Sequence, residues 1–178
     1  MSCGLMVGAR SLTGTQDIAI RPAVAGDVPL IHAFICELAD YERLRHEVVA
    51  TEAQLGETLF GDAPRAEVLI ATLAGEPAGF ALYFHNYSTF LGRPGLYLED
   101  LYVREQARGR GIGRRLLAQL AHIARERGCG RLEWWVLDWN APAIRFYQGL
   151  GAQPMEDFTV YRATGEALER LAREAEGD

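Results

Sequence analysis

Lysine is absent. All 18 basic side chains of the 178-residue sequence are arginine. Without lysine there is no Schiff-base chemistry and no lysine nucleophile, and the Gly-Lys-Ser/Thr end of a phosphate-binding P-loop is missing. Cysteine is scarce. Cys3, Cys36 and Cys129 are an odd number with no paired spacing, so neither a disulfide framework nor a zinc signature is present. A reducing compartment, the cytoplasm, is the natural reading. His32, His46, His85 and His122 show no metal-ligand spacing, and no metal is expected. No run of about 18 apolar residues occurs, so no membrane-spanning helix is expected. Residues 1–16 lack a charged start followed by an apolar run, so no signal peptide is expected. Net positive charge is lacking too: 24 acids against 18 arginines leave −6, which argues against general nucleic-acid binding. What remains is a soluble-type composition, 49% hydrophobic against 24% charged, at a length that suits one domain with a substantial core.

Residues 1–16, rich in Gly, Ser and Thr, read as a flexible N-terminal extension, and 17–178 as a single domain. Asp17–Arg21 alternates as a first strand and stops at Pro22. Asp27 is placed to cap a helix carrying Leu30, Ile31, Phe34, Ile35 and Leu38 at helical spacing. Thr51 opens a shorter helix that ends near Gly61. Three strands follow: Glu67–Leu73, Pro77–His85 and, after the turn Gly92-Arg93-Pro94-Gly95, Tyr97–Val103. Gly113–Arg127 is the strongest helix, with Ile112, Leu116, Leu117, Leu120, Ile123 and Ala124 in one apolar stripe. Leu132–Leu137 reads as a strand, Ala141–Leu150 as a short helix stopped by Gly151, Phe158–Arg162 as a last strand and Glu166–Arg173 as a terminal helix. The order describes a mixed α/β domain, one sheet between helices.

The richest segment joins the Tyr97–Val103 strand to the long helix: Gln106-Ala107-Arg108-Gly109-Arg110-Gly111-Ile112-Gly113. Glycines let backbone N–H groups converge on an anion, and the helix start adds unpaired N–H groups and partial positive charge. A diphosphate suits such a place, although the glycines at 109, 111 and 113 do not follow the dinucleotide spacing. A purely structural turn explains the segment equally well on its own. Its context does more. Arg108-x-x-Gly111-x-Gly113 follows a strand with Glu99-Asp100 and precedes an amphipathic helix, and this resembles motif A of the GNAT acetyltransferase superfamily. Trp139-Asn140-Ala141-Pro142-Ala143-Ile144-Arg145-Phe146-Tyr147 with Gly149-Leu150-Gly151-Ala152 resembles motif B. Leu96–Val103 and Ala39-Asp40-Tyr41-Glu42 further resemble the spermidine/spermine N-acetyltransferase branch and its thialysine acetyltransferase relatives. The likeness runs over about residues 17–172.

The resemblance implies a mostly antiparallel α/β (α+β) sheet flanked by helices and splayed at the cofactor-binding strand. It implies acetyl-CoA as co-substrate, a small cationic amine as acceptor (polyamine, diamine or lysine analogue), direct attack through a tetrahedral intermediate, and a homodimer. Arg108, Gly109, Arg110, Gly111, Ile112, Gly113 and Arg114 would hold the diphosphate, with backbone amides a safer expectation than the arginine side chains. Leu101, Tyr102 and Val103 would line the slot for the rest of the cofactor, with a backbone N–H near Leu101 or Tyr102 for the oxyanion. Asn140 would bond the pantetheine arm, cap its own helix, or do both. Tyr41, Glu42, Glu99 and Asp100 would meet the cationic acceptor; for Tyr41 and Glu42 a plain solvated helix end is the alternative.

The chemistry needs a base. A primary amine of pKa about 10 is almost wholly protonated at pH 7, and freeing its lone pair costs about 4 kcal/mol. Glu99 is the candidate base, through a water; a solvated patch or an arginine partner is the alternative for the Glu99-Asp100 pair. In a regular strand Asp100 would face the opposite side, whereas a bulge would splay the strand. Tyr147, with a reference pKa near 10, is the candidate acid for the thiolate, or a ring packed under the sheet. Of Trp134 and Trp135, one is expected in the core and the other in the acceptor groove. Cys36 and Cys129 are expected as small core residues. Two other readings stay open: a protein N-terminal or lysine acetyltransferase, and a silent acyl-CoA-binding module. The stretch from Gly151 to Phe158 is short for a polyamine enzyme, which leaves the acceptor side open. Charge is also segregated. Residues 27–62 carry eight acids and two arginines, and residues 104–131 eight arginines and two acids.

Overall fold

The computed structural model describes residues 17–176, so the expected extension over 1–16 lies outside the described residues. Two compact units divide between Trp135 and Val136.

In the first unit, β1 (Ile18–Pro22), β2 (Glu67–Leu73), β3 (Glu76–Ser88), β4 (Arg93–Val103) and β5 (Leu132–Trp134) form one sheet in that spatial order. All neighbours are antiparallel except β4 and β5, which pair parallel over Leu96–Leu98 and Leu132–Trp134. The sheet is therefore mixed and mostly antiparallel, as expected. Three helices accompany it: α1 (Val28–Glu42), α2 (Glu52–Phe60) and α3 (Ile112–Glu126).

Alternation decides which residues face which helix. Phe80 stacks on Phe34 of α1 with ring centroids 5.4 Å apart, in a buried cluster with Ile31, Leu59, Val68 and Ile70. Three positions on, Tyr83 faces the other way and meets the Arg127 guanidinium just past α3. The apolar stripe of α3 is buried at Ile112, Leu116, Leu117, Leu120 and Ala124. Each fully buried leucine or isoleucine there contributes about 1.5–3 kcal/mol.

Thr51 caps α2 as its position predicts, its hydroxyl accepting from the Gln54 N–H at 3.3 Å. Asp27 sits at the N-cap of α1 but does not cap it. Its carboxylate instead accepts from Arg21 at 2.6 and 2.7 Å and from the Val24 N–H at 2.8 Å, because a bidentate arginine outcompetes a single amide. The predicted turn at Gly92–Gly95 is tighter than expected: Gly92 bends with φ 61°, while Arg93, Pro94 and Gly95 already belong to β4. β5 is shorter than its apolar run, ending at Trp134.

The second unit holds α4 (Ala141–Gln148) and α5 (Glu166–Glu176). Gly151 stops α4 as expected: at φ 87° it lets Ala152 N–H reach the Tyr147 carbonyl at 3.2 Å and its own N–H reach Gln148 at 2.9 Å. Phe158–Arg162 is not a strand. Alternation is necessary for a strand but supplies no partner for its backbone, and among the described residues all five strands belong to the first unit. Phe158, Val160 and Tyr161 are exposed.

Candidate active site

A bulge in β4 organises the site. Tyr83 pairs with Leu98 and Leu82 with Asp100, so Glu99 is an extra residue opposite no partner of its own. The bulge reverses the phase of the strand. Leu98 and Tyr83 share the α3 face, whereas Asp100 shares the α1 face with Leu82 and, two residues on, with Tyr102, whose ring lies 6.3 Å from Phe34. Asp100 therefore does not face away from the acidic residues of α1, as a regular strand would require. The charges of Glu99 and of Glu42, near the end of α1, both reach it.

Two other carboxylates thus act on Asp100. The Asp100 carboxyl is pushed up to about 7, first by burial, then by the charges of Glu99 and Glu42. Burial raises the Glu42 carboxyl as well. Tyr97 pairs its ring with Phe84 at 5.1 Å and Trp135 edge-on at 5.7 Å, and its phenol is pushed up to about 12 by burial and the charges of Glu99 and Glu133. A raised carboxyl pKa has a definite sign. The fold binds a proton between the unfolded value near 4 and about 7, so the stability this contributes is present below pH 4 and is lost as pH rises through 7. Asp100→Asn should accordingly raise the unfolding midpoint at pH 8 and leave it nearly unchanged at pH 4, as urea titrations at the two pH values would measure. An equal shift at both would place the cause elsewhere.

Beside this face, β4 has an open edge. Its pairing with β5 stops at Leu98. The Arg104 N–H donates to the Ala78 carbonyl at 2.9 Å, and antiparallel pairs alternate, so the backbone groups of Tyr102 turn to β3 while those of Leu101 and Val103 turn outward. Of the two expected oxyanion donors, the outward one is the Leu101 N–H.

The open edge leads into the glycine turn. Gly109 and Gly111 have φ 74° and 85°, and a Cβ at either would meet nothing within 4 Å, so conformation, not crowding, asks for glycine there. Arg115 N–H makes the first bond of the α3 ladder, to the Gly111 carbonyl at 3.0 Å. The amides of Ile112, Gly113 and Arg114 precede that ladder, and α3 adds its dipole. This is a cradle whose donors fit a diphosphate. The Ile112 side chain is in the core, so only its backbone can take part. Arg110 and Arg114 are exposed.

Two arginines fasten α1 to β4. Arg104 grips Glu37 of α1 at 2.7 to 3.2 Å, donates to the Pro77 carbonyl at 3.0 Å and lies 4.8 Å over the Phe34 ring. Arg108, expected among the phosphates, points its guanidinium elsewhere. Its Nε donates to the Val103 carbonyl at 2.9 Å, and its guanidinium carbon lies 4.7 Å from the Tyr41 ring centre and 5.8 Å from that of Tyr102.

In the second unit, Asn140 is buried and its Oδ1 accepts from the Ala143 N–H at 3.3 Å, so the capping role is realised. Tyr147 lies half-buried on α4, its ring 5.3 Å from that of Phe146.

Sequence reasoning missed Tyr97. The signal was there, since Tyr97 stands two residues before Glu99 and so on the same face of the strand. The exposed tryptophan of the pair is Trp135, and it is the one that touches Tyr97. Two surface depressions of about 370 and 360 Å³, both lined by Ile20 and Gln119, contain none of the candidate residues.

Known proteins resemble this arrangement. The acetyltransferase (GNAT) family matches residues 33–152. A thialysine N-epsilon-acetyltransferase of Bos taurus is 40% identical over 166 residues, which cover 87% of this chain and 97% of that protein. An L-ornithine N5-acetyltransferase of Arabidopsis thaliana is 35% identical over 197 residues, covering 85% of this chain and 86% of that one. The solved structure of an integron cassette protein from the mobile metagenome of V. cholerae superposes with a TM-score of 0.73 at 30% identity, covering 88% of this chain and 98% of that one. The family match takes in the bulged strand, the glycine turn and the Asn140–Tyr147 helix, and the chain belongs to the GNAT family of acetyltransferases.

Proposed function

We propose that this enzyme moves an acetyl group from acetyl-CoA to a primary amine of a small cationic acceptor, of the ornithine, thialysine or polyamine type. The observation that carries the reading is the bulge at Glu99. It puts Asp100 within electrostatic reach of both Glu99 and Glu42, beside the open edge of β4. The half-buried Asp100 and Glu42, with the exposed Glu99 beside Asp100, attract a cation, and the two half-buried carboxyls cost stability without one. The relatives named for thialysine and ornithine act on molecules of this class.

Acetyl-CoA supplies the activated acetyl group as a thioester. The amides of Gly109 to Arg114 would hold its diphosphate, and the outward Leu101 carbonyl and Val103 N–H the arm that follows. Asn140 is a second candidate for that arm in addition to its cap. Glu42 and Asp100 hold the acceptor's positive charge, with Tyr41 beside them. Glu99 takes the ammonium proton, through a water, so that the nitrogen lone pair is available. The Leu101 N–H donates to the carbonyl oxygen as negative charge develops there. The nitrogen forms its bond to the acetyl carbon and loses its second proton to solvent as the carbon–sulfur bond breaks, and Tyr147 would protonate the departing sulfur and regain its proton from solvent.

The two units act as one domain over 17–178 in this reading, which the family match supports by crossing their boundary. A homodimer in a reducing compartment completes the proposal. The dimer rests on the resemblance, and the compartment on the unpaired spacing of the cysteines. Among the described residues no helix is long and apolar enough to cross a membrane. The test is thiol release from acetyl-CoA against ornithine, thialysine, spermidine and a lysine-bearing peptide. Release with the small amines and not the peptide is expected. Preference for the peptide would favour a protein acetyltransferase, and tight CoA binding with no release would favour a silent module.

A further inference from the structure

Arg108 is a side chain at which three parts of the site meet. Its backbone closes the short turn Glu105–Ala107 and directly precedes Gly109, whose φ of 74° begins the glycine turn. Its Nε holds the Val103 carbonyl, one of the outward groups of the open β4 edge. Its guanidinium covers the face of Tyr41, one residue before Glu42 on the last turn of α1. A guanidinium at 4.7 Å over a phenol ring is held by the ring quadrupole, and the Nε bond fixes its plane. The exposed Arg108 side chain thus links the turn and the β4 edge to Tyr41.

We propose that Arg108 is a positioning residue for the acceptor: it orders Tyr41 and the end of α1, and it couples occupation of the glycine turn to acceptor binding. This rests on the reading above that the amine sits beside Glu42 and Asp100. Whatever fills the turn and the β4 edge restrains Arg108, and through it the acceptor wall. By linkage, coenzyme A then strengthens acceptor binding, and the acceptor strengthens coenzyme A binding by the same factor.

Steady-state kinetics and coenzyme A calorimetry on the full chain test this, with Arg108→Ala, Tyr41→Leu, Tyr41→Phe and the double variant Arg108→Ala/Tyr41→Leu. Arg108→Ala should raise the acceptor KM about 10-fold, with kcat and the coenzyme A Kd each changing less than about 3-fold. Tyr41→Leu should do the same, and Tyr41→Phe, which keeps the ring, should recover most of the loss. The double variant should be no worse than either single one, because both remove one contact. The same cycle in urea midpoints should be non-additive.

An Arg108→Ala enzyme with a coenzyme A Kd raised 10-fold and an unchanged acceptor KM would make Arg108 a phosphate partner and overturn the proposal. So would effects that multiply in the double variant. Both results leave the proposed activity standing. A wild-type protein that acetylates none of the amines overturns that activity and the acceptor role of Arg108 together.

Discussion

Replacing Tyr147 by phenylalanine should lower kcat about 10- to 1000-fold and leave the acetyl-CoA Kd nearly unchanged. The reason lies in the leaving group. A thiolate with a pKa near 8.5 sits only about 1.5 units above neutrality, so a proton donor contributes a modest share of the barrier, about 2 kcal/mol. Phenylalanine removes the hydroxyl and keeps the ring that packs beside Phe146, so the unfolding midpoint should barely move. Thiol release measured under saturating substrates separates the two roles. Turnover equal to that of the wild type would reduce Tyr147 to a packing residue. A fall in kcat with a matching fall in stability would point to damaged packing.

Glu99→Gln should lower kcat/KM for the amine at pH 7 about 100-fold, within the range ordinary for a lost general base. The deficit should depend on pH in a defined way. Without the base only the neutral amine reacts. That fraction rises about tenfold per pH unit until the acceptor's own pKa near 10, so the gap to the wild type should close as pH rises. The substitution also removes one of the charges that raise the Asp100 carboxyl, so the step attributed to Asp100 should move to lower pH. A deficit that stays constant from pH 7 to pH 10 would mean that Glu99 binds the acceptor and does not carry its proton.

Much of both units was legible from local pattern. The apolar stripe of α3 fell where the 3.6-residue period places it, and Thr51 and Gly151 began and ended their helices because caps are local hydrogen-bond events. The failures share a cause. Asp27 has the chemistry of a cap, but Arg21, from the preceding strand, claimed its carboxylate. Phe158–Arg162 has the alternation of a strand, yet no partner strand takes its backbone. Both outcomes turn on a second element: Arg21 in β1, and a partner strand that Phe158–Arg162 does not find among the described residues.

The candidate site divides in the same way. The glycine turn and the Glu99-Asp100 pair stand plainly in the sequence, and resemblance to the family's motifs marked Glu99 and Tyr147 as the acid–base candidates, because those motifs are short and contiguous in the chain. Tertiary structure alone decided that β4 bulges at Glu99, so that Asp100 turns toward Glu42, and that Arg108 leaves the turn for Tyr41. A bulge exists only against the register of a neighbouring strand. A guanidinium chooses among the rings and carbonyls that folding brings within reach, and those choices are made between segments some sixty residues apart, as for Tyr41 and Arg108.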